Sequence, residues 1–365
     1  MVAGNPIATT LDDEPAGSGA TQIRRRAILN PTARYVLRRF GLYLITLWGS
    51  LSASFFFFRL LPGDPISGII AQLQTRGQYS ALESSQDMVE HYRREFGLDG
   101  SLWEQYLRYF QNVFLRFDFG PSVLSYPTDA TQLIIRALPW TIGLIGVSTL
   151  LGWLLGVLAG TLVGWKRRTR WAETVTNVAL VFSHVPAYFV ALVLIIFLAY
   201  RLSLLPANGA YDARLDPTWS AEFAWSVIKY GTLPVLANVV VAVANWMLST
   251  RALVVSILGE DFLTFAHAKG VTPRRILTAY VMRNAWLPQI AALGMALGTV
   301  VSGNVLIERL FRYPGVGNLL VDSVVIKDVN TAMAVVTLLI FMVLTINLII
   351  DLSLPLIDPR VKLTS

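Results

Sequence analysis

Side chains that carry out covalent or metal chemistry are sparse in this chain of 365 residues. There is no cysteine, which removes thiol catalysis, disulfides and thiolate-bound zinc. The three histidines, His91, His184 and His267, are far apart in sequence and show no metal-ligand spacing. Glu260 and Asp261 are adjacent, and neighbours on a helix point about 100° apart, so they make a poor acid–base dyad. The motifs G-x-x-x-x-G-K-[ST], H-E-x-x-H, G-x-S-x-G and G-x-G-x-x-G do not occur in the sequence. An enzyme is therefore not expected. What remains is non-covalent chemistry, meaning hydrogen bonding, charge pairing and close approach.

The stretch 251–283 has the most to offer in that respect. Gly270 follows Ala266, His267, Ala268 and Lys269, a pattern for a helix stop with a cation in its last turn. Thr272 and Pro273 then start a second helix, with Thr as cap and Pro at the first position. Two helices should meet near Gly270, with Arg274 and Arg275 just past the corner. Ala266, Ala268 and Gly270 carry little side chain, so a partner surface can come close. A basic loop lying on anionic headgroups is the other reading. Asn238, Asn245, Ser302, Asn304 and Asn347 are polar residues within apolar runs. They either line an aqueous path or bond helix to helix.

The elements that position these groups follow from composition. Hydrophobic residues make up 54% and charged residues 15%, against about 25% charged in a soluble domain. Mean hydropathy is +0.55. A water-soluble enzyme and a disordered chain are both excluded. A bilayer core needs about 20 helical residues. Six windows of 19 to 29 residues contain no Asp, Glu, Lys or Arg: Phe40–Phe58, Ala137–Trp165, Thr174–Tyr200, Tyr230–Thr250, Asn284–Ile307 and Val329–Ile350. Each is long enough to span, and the spare length in the second and third allows tilt or an interfacial turn. Six spans place both termini on one side. With the termini inside, that side holds 17 Lys/Arg and 8 Asp/Glu, and the other holds 13 and 15. The cluster Lys166-Arg167-Arg168-x-Arg170 is the sharpest signal for this orientation. The net charge of +7 is thus read as topology, with no nucleic-acid partner.

Residues 1–33 read as a disordered cytoplasmic tail and 34–365 as one transmembrane domain. Gly152, Gly156, Gly160 and Gly164 form a stripe along the second span, and Gly294 and Gly298 repeat the spacing in the fifth. Such stripes admit a close helix, either within the chain or from another subunit. The outer loop 59–136 opens with Leu61-Pro62-Gly63-Asp64-Pro65, which ends a helix. Met88–Phe96 and Leu102–Phe117 within it show the spacing of short amphipathic helices.

In order and spacing, several passages resemble the permease subunits of bacterial ABC importers, in the dipeptide/oligopeptide/nickel group, B-type. They are Leu61–Pro65, Phe96-Gly97-Leu98-Asp99 with Gln105-Tyr106, and Asp118-Phe119-Gly120-x-Ser122. Further along come Ala266-x-Ala268-Lys269-Gly270 with Arg283-Asn284-Ala285-x-Leu287-Pro288. Glu308, Phe311, Pro314-Gly315-x-Gly317 and Asp328 follow, and then Asn347, Asp351 and Asp358-Pro359-Arg360. One departure is that Thr264, Phe265 and Ala266 stand where the family's cytoplasmic loop begins Glu-Ala-Ala. Glu260 or Asp261 is left as the acidic contact.

The resemblance implies an all-α, six-span type I permease fold in the bacterial inner membrane, with both termini cytoplasmic. It implies a heterodimer with a second permease, two ABC ATPase subunits and an extracytoplasmic solute-binding protein. ATP and magnesium would be held by those ATPases and no cofactor by this chain. The loop 257–284, and in it the helix around Glu260–Arg275, would sit in a groove on the ATPase. Glu260, Asp261, Ala266, Ala268, Lys269, Gly270, Arg274 and Arg275 are the expected coupling residues. Asn238, Asn245, Asn304 and Asn347 are the expected pathway residues. The outer loop would help receive the binding protein. Cargo in this group includes peptides, opines, oligosaccharides and nickel. A stand-alone secondary transporter or channel is the alternative class, but the paired broken helices of an inverted repeat are not evident.

Overall fold

The computed structural model describes residues 31–60, 86–298 and 304–357. The turn at Leu61–Pro65, residues 1–30, Ser302 and the ending Asp358-Pro359-Arg360 lie outside the described residues. Those described form helices, with a single isolated β-bridge between Pro121 and Asp129.

The elements are α1 Pro31–Leu60, α2 Gln86–Glu95, α3 Leu102–Gln111, α4 Ala130–Trp165, α5 Arg170–His184 and α6 Ala187–Leu194. They continue with α7 Ala221–Ile257, α8 Asp261–Ala268, α9 Pro273–Arg275, α10 Arg283–Gly298, α11 Val305–Leu310, α12 Val316–Val325 and α13 Val329–Ile357. Wider helical turns extend α3 through Asn112–Arg116 and α6 through Ile195–Arg201, and Ile276–Met282 joins α9 to α10.

Among the described residues, four helices are long and apolar enough to cross a bilayer: Arg34–Leu60, Ala130–Trp165, Ala221–Ile257 and Val329–Ser353. The third window is not one straight span. It breaks between His184 and Ala187, and its halves bend by 101°. Pro186 is the cause, because its ring excludes Val185 from helical backbone. Val185 is extended at φ −82°, ψ 120°. In the fifth window α10 is described as far as Gly298, and Asn304 leaves helical backbone at φ −125°, ψ 82° before α11 begins.

The centre of the bundle is the α4–α7 pair. The stripe Gly152–Gly164 faces α7 within the same chain. A Cβ built on Gly152 would lie 2.5 Å from Ala242 Cβ, and one on Gly160 would lie 2.5 Å from the Met247 carbonyl oxygen. Bare backbone is what allows these helices to touch. One turn and more before the stripe, nothing lies within 4 Å of a Cβ built on Gly143 or Gly146. By the helical period these two glycines lie off the face of the stripe, on other sides of α4. Pro139 and Pro234 interrupt the hydrogen-bond ladders of the two helices in their N-terminal halves.

α10 is tied to the pair by polar bonds. Trp153 Nε1 donates to the Gln289 carbonyl at 3.1 Å, Trp286 Nε1 to Thr161 Oγ1 at 3.2 Å, and Gln289 Nε2 to Ser249 Oγ at 3.0 Å. α1 packs on α13, with Arg39 paired to Asp351 at 2.9 Å and the Tyr35 hydroxyl donating to the Asp351 carbonyl. The start of α1 therefore lies beside the end of α13.

Candidate functional site

The corner at Gly270 forms as a Schellman stop. Gly270 has φ +72°, a conformation that costs a side-chain-bearing residue about 1 kcal/mol. Its N–H donates to the His267 carbonyl at 2.9 Å, and the Val271 N–H donates to the Ala266 carbonyl at 3.1 Å. Thr272 holds the cap position of the next helix with Pro273 first, but its hydroxyl accepts no capping bond. The capping expected of Thr272 is therefore not made; Pro273 starts the helix by its fixed φ.

α8 presents two faces. Leu263 and Ala266 are buried against Val254, Ile276, Val281 and Ala285. Ala266, at 4% exposure, thus packs into its own chain and offers no surface to a partner. This corrects the reading of Ala266 as part of an open small-residue patch, because the 3.6-residue period puts it on the face of Leu263. Glu260, Asp261, Ala268, Lys269, Gly270, Arg274 and Arg275 are exposed. Phe262 and Phe265, 41% and 70% exposed, point the same way. Sequence reading passed over these two rings. Phenylalanines in a segment lined by charges were the available signal.

At the other end of the bundle two buried carboxylates organise the chain. Glu308, on α11, is fully buried. It accepts the Thr141 hydroxyl at 2.9 Å and the amides of Gly317 and Asn318 at 2.7 and 3.1 Å. Its charge sits on the positive end of α12. Gly315 and Gly317 are required here, because a Cβ on Gly315 would meet the Glu308 carboxylate and the Thr141 hydroxyl. Asp328, also fully buried, accepts from the Ser122 hydroxyl, the Leu124 amide at 3.0 Å, and the Thr331 amide and hydroxyl at 3.1 and 2.7 Å. It ties the loop before α4 to the start of α13.

The F-G-L-D passage is a corner of the same kind. Gly97 and Gly100 take positive φ, and Gln105 Nε2 donates to the carbonyls of Leu98 and Gly100. Asp99 pairs with Arg108, and that guanidinium holds its carboxyl below the usual carboxylate range.

The asparagines separate into two pairs. Asn304 Nδ2 donates to Asn238 Oδ1 at 2.9 Å, and Asn304 also caps α11. Asn245 and Asn347 are exposed, and Asn245 Nδ2 donates to its own helix at the Val241 carbonyl. Along the N-terminal halves of α4 and α7 runs an open apolar groove of about 580 Å³, lined by Trp140, Leu144, Phe223, Val235 and Tyr313 among others.

Long apolar helices, with buried carboxylates spent on helix ends, make a membrane-embedded helix bundle. Residues 152–363 match the binding-protein-dependent transport system inner membrane component family, and the chain belongs to that family. It is similar to the oligopeptide transport system permease protein AppB of Bacillus subtilis, at 28% identity over 90% of this chain and 99% of that protein. It is similar to the dipeptide transport system permease protein DppB of Escherichia coli K12, at 27% over 90% and 98%. A glutathione transport system permease protein, GsiC of Shigella boydii, shares 29% over 90% and 98%. The chain is thus an inner-membrane permease subunit of an ABC importer, without an ATPase site of its own.

Proposed function

We propose that this chain forms half of the translocation path for peptides or similar small solutes, paired with a second permease. Two ATPase subunits drive the pair, and an extracytoplasmic binding protein delivers the cargo. A sixth crossing, made by α10 with the residues after it, and the bent α5–α6 pair as one crossing complete the bundle. Both termini are cytoplasmic in this reading; the charge bias supports that orientation. The permease names of the relatives support the cargo class.

The α8–α9 corner is the proposed lever. One observation carries this. α8 buries Leu263 and Ala266 in its own chain while Phe262 and Phe265 stand exposed beside Lys269, Gly270, Arg274 and Arg275. Exposed aromatic pairs flanked by charge are the composition of an interface core. Closure of the ATPases on ATP would move α8 as a rigid body and tilt the helices packed on it. Asn245 and Asn347, which are exposed, are proposed along the path together with the apolar groove; Asn238 and Asn304, bonded to each other, hold α11 to α7. The test is Phe265→Asp in the complete importer. Normal membrane insertion with lost ATPase copurification and lost uptake is the expected result. Unchanged uptake and copurification would overturn the lever.

A further inference from the structure

We infer that the basic end of the α4–α5 hairpin is a binding site for the phosphodiester of an anionic phospholipid. A cavity of about 400 Å³ is lined there by Trp165, Lys166, Arg167, Arg168, Thr169 and, across from them, Leu258 and His267. No carboxylate lines it. Among the described residues, neither Lys166 nor Arg168 takes part in an ion pair, and both are exposed. Arg167 is held in place, with Nη1 donating to the Val255 carbonyl at 3.1 Å. Its guanidinium is thus fixed before any ligand arrives.

The turn itself is built for this. Thr169 donates its hydroxyl to the Lys166 carbonyl at 2.8 Å and accepts the Ala172 amide at 3.3 Å, which caps α5. The N-terminal end of that 15-residue helix adds a positive dipole end to the same loop. Glu173, Glu260 and Asp261 lie on adjoining turns but do not line the cavity.

Position selects the source of the phosphate. The cavity sits where α4 and α7, two membrane-crossing helices, both end. Trp165 lines it, and Trp171, 54% exposed, follows at the start of α5. Tryptophan at helix ends marks the headgroup level, and basic pockets between helices there hold lipid headgroups. A lipid phosphate would bridge the α4–α5 turn to His267 on α8. The inference does not depend on α8 being the lever.

The test uses the complete importer in nanodiscs of three parts phosphatidylcholine to one part phosphatidylglycerol. After a detergent wash, retained lipid is counted by native mass spectrometry. Wild type should keep phosphatidylglycerol selectively. The double variant Lys166→Gln/Arg168→Gln should keep about tenfold less, with phosphatidylcholine unchanged. Ten millimolar inorganic phosphate, a concentration set by the experimenter at roughly physiological level, should not displace the lipid. A photoactivatable phosphatidylglycerol should label residues 165–169 of wild type, which keeps the test open if the double variant does not assemble. Equal retention by variant and wild type, displacement by free phosphate, or no retained lipid in the complete complex would each overturn the site. The last outcome would mean that a protein partner covers it.

Discussion

Glu308 Oε2 accepts the Gly317 amide at 2.7 Å, so a buried carboxylate on one short helix closes the N-terminus of the next. Its other oxygen takes the Thr141 hydroxyl from α4. Two consecutive short helices and the distant α4 meet at one carboxylate. Removing it leaves three buried donors unpaired. Glu308→Ala should lower stability by about 3 kcal/mol. Glu308→Gln should cost much less, because its amide group can turn to donate to Thr141 Oγ1 while its oxygen keeps the two backbone amides. Thermal unfolding of the two purified variants in detergent checks the order. Equal losses would show that charge itself, and not donor pairing, holds the junction.

Asp328 offers a sharper version of the same argument. All of its bonds in the structure come from donors: Ser122, Leu124 and Thr331. Oδ2 takes three of them and Oδ1 only the Thr331 amide. Asp328→Asn can therefore turn its nitrogen to the Oδ1 side and should cost about 1 kcal/mol, against about 2–3 kcal/mol for Asp328→Ala. Proteolysis of the loop before α4 should accelerate mainly in Asp328→Ala. Equal losses in the two variants would mean that the single bond at Oδ1 matters as much as the three at Oδ2.

The glycines of α4 divide by what faces them. Gly160→Ala places a methyl 2.5 Å from the Met247 carbonyl, on rigid backbone of α7. Gly146→Ala meets nothing within 4 Å. The first should lower stability by about 2 kcal/mol or more. The second should be neutral or stabilise by about 0.5 kcal/mol, since alanine favours helix. Melting temperatures of the paired variants decide this.

Much of the fold was legible in the sequence because hydrocarbon thickness sets a length that charges interrupt. α4, α7 and α13 fall where uncharged windows lie. The bend at Val185 was legible too, since Pro186 stands inside the third window and excludes helical backbone before it. The buried face of α8 could have been read from Leu263 and Ala266, three residues apart, and was obscured by weighing Ala266 as merely small. The partners of Glu308 were not legible. Thr141 lies 167 residues away, and nothing local announces a bond between them. The apolar groove was hidden for a similar reason: it forms only once α4 and α7 lie side by side, and no residue type marks a void.

The Gly270 corner permits a test in which backbone strain cancels. Its φ of +72° strains any side chain placed there by about 1 kcal/mol. Among the described residues nothing lies within 4 Å of a Cβ at this position, and Gly270 is exposed. Gly270→Ala and Gly270→Trp should therefore fold with similar small losses, because at an exposed corner either side chain can extend outward. They differ only in the bulk they present outward. If an ATPase surface closes over the corner, Gly270→Ala should retain most ATP-driven uptake while Gly270→Trp loses at least tenfold. Detergent melting curves check the first half, and uptake with ATP hydrolysis in proteoliposomes of the complete importer checks the second. Equal uptake by the two variants would mean that no partner approaches Gly270 closely, and the contact would have to lie further along α8, at Phe262 and Phe265.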